Sequence, residues 1–116
     1  MKNVRKVLVA LAFSDYAEGT FTFAADFANC TGAELIVASV VNERDVESVR
    51  TISAMGYEVD GEHYVESIKA EREQIMKGIT ANSDLPRDRI RTVFVVGNPL
   101  DELLKLIVEE KIDVVV

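Results

Sequence analysis

The sequence predicts an α/β fold: an open parallel sheet with helices on both faces. Three observations carry this. Short apolar runs recur at "VRKVLVALAF", "AELIVASVVN", "IRTVFVVG" and "IDVVV", and near-continuous runs of that kind read as strands buried on both faces. The segments between them carry apolar residues at helical spacing. Each connection is also long enough to hold a helix, and under the right-handed rule such crossovers join parallel neighbours. The resulting order is β-α-β-α-α-β-α-β in 116 residues, the length of one domain.

The first strand is expected over Val4–Phe13. In the helix that follows, Asp15 and Glu18 have the spacing of a capping pair. Tyr16, Phe23 and Phe27 lie along one side and Ala17, Phe21, Ala24 and Ala28 along the next, which together predict a wide apolar face. A face rich in Phe and Ala is expected to pack on the sheet, not to line a cofactor pocket. Gly32 is placed to end this helix in a left-handed turn. The second strand is Ala33–Asn42.

Val46, Val49, Ile52 and Met55 then suggest a short amphipathic helix ending near Gly56. A longer one follows, with Val65, Ile68, Arg72, Ile75, Met76 and Ile79 at helical spacing. The charged residues of that stretch, Arg72 among them, are expected to be mostly a solvated surface. "DLPRDR" reads as a loop and Ile90–Gly97 as the third strand. In the last helix Asn98 can cap, Pro99 suits the first position, and Asp101 and Glu102 favour the positive end of the dipole. Leu100, Leu103, Leu104, Ile107 and Val108 are its expected buried stripe, and "IDVVV" is the fourth strand.

Composition narrows the function. Twenty acidic residues against 13 basic ones give a formal charge of −7, and an acidic surface repels phosphate backbones, so no nucleic-acid partner is expected. A nucleotide held by backbone N–H groups at a helix start stays open. No apolar run approaches the roughly 20 residues of a membrane span. The "MKNVRKVLVALAF" start reads as a strand and not as a signal peptide, so no membrane partner and a cytoplasmic location are expected. Cys30 has no cysteine to pair with and is expected to be buried. With one Cys and one His in the chain, no metal site is expected.

No G-x-x-x-x-G-K-[ST] or G-x-G-x-x-G loop is present. Ser14, Gly19 and Thr20 hint only faintly at a flavodoxin-like phosphate loop, because Tyr16, Ala17 and Glu18 sit where donors would be wanted. Ser14 is better read as starting its helix than as a nucleophile, and His63, beside Tyr64, as a surface residue. No set of residues makes a catalytic constellation.

Three landmarks resemble the universal stress proteins along essentially the whole chain. They are "VLVALAFS", "TGAELIVASVV" and "VVGNPLDELLKLIVEEKIDVVV". The last is the most specific: a strand ending in Gly, then x-Pro, acids, a Leu/Ile-rich helix, and x-Asp before an apolar strand. The resemblance implies a Rossmann-like, adenine nucleotide alpha hydrolase-like sheet in order 3-2-1-4-5, usually in a homodimer, with ATP bound by some members. Their Pro-x-Asp, whose Asp meets adenine, falls on Ala10, Leu11 and Ala12, so the carboxylate is missing. Their strand-two Val corresponds to Val40 and the Gly ending strand three to Gly97. Phe13 and Ser14 continue the loop after the first strand. The family's glycine-rich phosphate loop and fifth strand have no counterpart, so residues 1–116 are expected to be one such domain cut after its fourth strand.

The function implied is a non-catalytic stress-response binding or signalling module, with ATP or AMP as the candidate ligand and a further protein partner unidentified. Two other readings stay open. One is a flavodoxin-like redox enzyme, with Tyr57, Tyr64 and Phe13 as stacking aromatics. The other is a dimeric scaffold in which Glu43–Tyr64 reaches across a partner, although local cover of the sheet is preferred.

Overall fold

The structure is a computed structural model that describes residues 3–116. Four parallel strands, β1 (Lys6–Ala10), β2 (Glu34–Asn42), β3 (Ile90–Gly97) and β4 (Val114–Val115), form one sheet in the order β3-β2-β1-β4. Helices α1 (Ala17–Thr31), α2 (Glu43–Ala54), α3 (Gly61–Ala81) and α4 (Pro99–Glu109) connect them, with a single 3₁₀ turn at Arg87–Arg89 before β3. The fold class and strand order expected from the sequence are both present.

The two central strands are sealed on both faces. Val7, Leu8 and Val9 of β1 and Leu35, Ile36 and Val37 of β2 have no accessible surface. Each such side chain contributes about 1.5–3 kcal/mol by leaving water. Successive residues point to opposite faces. Val7, Val9, Leu35 and Val37 therefore pack with Phe21, Ala24 and Ala28 of α1 and Met76 of α3, while Leu8, Ile36 and Ala38 pack with Leu106 of α4.

Several helix faces differ from expectation. On α1 the buried stripe is narrow and Ala-rich (Ala17, Phe21, Ala24, Ala25, Ala28), which lets the helix sit close to the sheet. Tyr16 and Phe23 are 81% and 65% exposed. Asp15 does not cap α1; its N-cap is Tyr16, without a side-chain bond. Gly32 does close it in the left-handed region, at φ 73°. Cys30 is exposed, because it lies off the Ala stripe in the last turn.

On α4, Asn98 Oδ1 accepts from the Asp101 N–H at 3.1 Å and Pro99 is the first residue, as read. The buried side, however, is Leu103, Leu106 and Ile107, and Leu100, Leu104 and Val108 face solvent. This helix has apolar residues on three sides, so its own periodicity does not select which side meets the sheet.

The α2–α3 pair stands partly clear of the body. Of the four apolar residues expected to cover the sheet, Val46 is buried, Val49 is half-buried, and Ile52 and Met55 are exposed. The radius of gyration, 15.9 Å, exceeds the about 13.4 Å of a compact chain of this length.

Polar side chains hold the periphery. Arg89, in the segment read as a loop, donates from Nη2 to the Ala28 and Ala33 carbonyls, each at 2.8 Å, which ties the end of α1 to the start of β3. Asp113 Oδ2 accepts from the backbone N–H groups of Arg5 and Lys6 at 2.8 and 3.0 Å, setting β4 beside β1. Glu110 bridges Lys6 and Arg91, and Arg91 also reaches Glu34 at 3.3 Å.

The Arg91 hydrogen bond, followed by that from Lys6, pulls the Glu110 carboxyl below its ordinary pKa. A depressed folded-state pKa gives stability that is present above the unfolded value, about 4.3, and is lost as the pH falls through the folded value. Glu110→Gln is expected to flatten the decline in stability on acidification below about pH 5, read by urea unfolding at several pH values. An unchanged slope refutes the assignment.

Candidate functional site

In this strand order the connections reverse between β1 and β4, and ligands of such sheets bind at the carboxyl end of that switch point. Ala10 and Ala12 are exposed there. Ala10 pairs with Ala38, and Leu11 N–H donates to the Ala38 carbonyl at 3.1 Å. By strand alternation Ala10 shares a face with Leu8, and Val40 with Ile36 and Ala38. Ala10 and Val40 therefore stand on the α4 side of neighbouring strands, with Ala12 just beyond.

Three other residues singled out in the sequence go elsewhere. Gly97 pairs with Asn42 on the edge strand β3. A Cβ there would lie 2.7 Å from Glu102 Oε1, so the glycine makes room for a side chain of α4. Ser14 Oγ accepts from the Tyr16 N–H at 3.3 Å and Ser14 O from the Ala17 N–H at 3.0 Å, so Ser14 forms the turn that leads into α1. Phe13 adopts φ 57°, a left-handed conformation that costs a non-glycine residue about 1 kcal/mol or more. That twist brings its ring against the cluster on the α1/α3 face.

The ring has a partner there that the sequence did not single out. The Arg72 guanidinium, from α3, lies 4.9 Å from the Phe13 centroid. Its Nη1 donates to Ser39 Oγ at 2.9 Å and to the Val40 carbonyl at 3.3 Å. Burial pulls the Arg72 pKa down, while Tyr64 and Glu71 oppose the shift. Ser39 is the one buried polar residue of the described core, at 1% exposure. Arg72 sits at helical spacing between Ile68 and Ile75/Met76, and that spacing was the signal for an inward-facing cation.

Tyr57, Tyr64 and His63 lie together in an open depression between α2 and α3, away from Phe13. Among the described residues no cluster of His, Cys, Asp and Glu has metal-site geometry, and no helix is long and apolar enough to cross a membrane. The polar groups at the carboxyl end of the sheet are backbone groups, the Ser14 and Ser39 hydroxyls and the Arg72 guanidinium.

Arg72→Ala leaves the Ser39 hydroxyl without this donor and is expected to cost about 1–3 kcal/mol. Ser39→Ala in that background should cost less than it does alone, by at least about 0.5 kcal/mol in a double-mutant cycle by urea unfolding. Strictly additive costs would break the claimed link.

Residues 3–116 match the universal stress protein family. No curated protein matched the sequence. The chain is similar in fold to the protein MJ0577, at 23% identity and TM-score 0.73 over 99% of this chain and 74% of that one. It is also similar to UspA from Lactobacillus plantarum, at 19% identity and TM-score 0.69 over 99% and 77%. A universal stress protein in complex with cAMP aligns at 21% identity and TM-score 0.65 over 98% and 72%.

Proposed function

Because the chain belongs to the universal stress protein family, we propose that it is a stress-response binding and signalling module that senses an adenine nucleotide and catalyses no turnover. The family match over residues 3–116 carries the reading. A protein of similar fold has been captured with cAMP, which supports a nucleotide as the ligand class. The base would lie at the switch point against Ala10, Ala12 and Val40, with Phe13 and Ser14 forming the adjoining turn and Gly97 closing the edge strand. Ala12 offers no carboxylate to an exocyclic amine, so ATP or AMP would be held by backbone groups and packing, and weakly.

Isothermal titration with ATP and AMP is expected to give dissociation constants above about 0.1 mM, weaker than about −5.5 kcal/mol. Ala12→Asp should tighten binding about tenfold, the contribution of one charge-assisted hydrogen bond. Micromolar binding by the unaltered residues 1–116, or steady phosphate release from ATP, would refute the proposal.

The same reading includes a homodimer. Membership of the family, whose members are commonly dimeric, supports it. On α4 the exposed line Leu100, Leu104 and Val108 adds apolar surface. Light scattering is expected to return twice the 12.9 kDa chain mass. Leu104→Glu should shift it toward the monomer, and a monomer at all concentrations overturns the dimer.

A further inference from the structure

We propose a second ligand site, in the groove between α3 and β3, that takes a small organic anion with an apolar body. The groove encloses about 570 Å³, within the roughly 300–1,000 Å³ of small-molecule sites. It forms because α3 docks at its carboxyl-terminal half, through Met76 and Ile79, and leaves the outer face of β3 uncovered. Ile90, Thr92 and Phe94, alternate residues of one strand and so of one face, make the floor.

The charge of the groove opposes that of the protein. Lys69, Arg72, Lys77 and Arg87 line it against the single carboxylate of Glu73, a local excess of positive charge on a chain whose formal charge is −7. Lys6, Arg50 and Arg91 are all in ion pairs, whereas among the described residues none of these four is. Two of them lie over aromatic rings instead: Lys69 Nζ is 5.8 Å from the Phe94 centroid, and Arg72 covers Phe13. Lys69, Glu73 and Lys77 follow one another at i, i+4 along the rim, and Arg72, Met76 and Thr80 along the row beside it.

Unpaired cations above an apolar floor suit a ligand that is itself divided. Its carboxylate or phosphate would meet the lysines while its body lies on Ile90 and Phe94. A metal cation would be repelled, and a polyanion would meet acidic surface outside the groove. The site lies on the opposite sheet face from Ala10 and Val40, and the inference does not depend on the nucleotide reading.

The test is an amide NMR titration with 1-naphthyl phosphate. Shifts are expected at Thr92, Phe94 and α3 residues 69–77. The paired substitution Lys69→Glu and Lys77→Glu, both on exposed residues, should weaken binding at least tenfold while the thermal unfolding curve stays in place. Neutral 1-naphthalenemethanol should bind at least tenfold more weakly, and inorganic phosphate alone should give no localised shifts. No binding, equal binding of the neutral alcohol, indifference to the charge reversals, or shifts centred on Ala10, Ala12 and Val40 would each overturn the site. AMP titrated in parallel reports on the switch point, so failure of either reading shows separately.

Discussion

Everything in this fold follows from burying β1 and β2 on both faces at once. A strand with no exposed face needs a helical layer above and below it. Here α1 and α3 supply one layer and α4 the other. It also needs neighbours on both edges, which places β3 and β4 outside. The outer strands then carry the surfaces left over. The groove beside β3 is a product of completing the centre first.

One polar contact interrupts that apolar centre. Ser39 is buried in a strand of Val, Ile and Ala, and Arg72 reaches in from α3 to meet it. A guanidinium suits the position because its planar fork can serve a hydroxyl, a carbonyl and a ring face together. The contact ties α3 to β2 near the carboxyl end of the sheet and brings the guanidinium over the ring of Phe13, whose backbone is left-handed.

The strands were largely legible because continuous apolar runs have few alternatives. β3 was read with its observed bounds, Ile90–Gly97. β1 was read too long, as Val4–Phe13, because apolar residues continue past the point where pairing with β2 stops at Ala10. Helix orientation was less legible. α4 offers apolar residues on three sides, and only the sheet decides that Leu106 goes in and Leu104 stays out. Arg72 fitted both an apolar spacing and a charged surface, and its inward direction depends on Ser39, 33 residues away in sequence. Of the family's candidate residues, Ala10 and Val40 stand on one face at the carboxyl ends of neighbouring strands, with Ala12 just beyond. Gly97 and Ser14 answer to local packing, with Glu102 and with the start of α1.

The Asp113 bonds to Arg5 and Lys6 span 108 and 107 residues of sequence. The middle of the sheet is therefore finished by a segment made long after β1 and β2. Until then β1 has β2 on one side and nothing on the other, and its apolar edge must wait through the synthesis of three further helices. Closing so long a loop costs several times RT before any contact repays it. A carboxylate that engages two N–H groups at once gives β4 a fixed point of arrival beside β1.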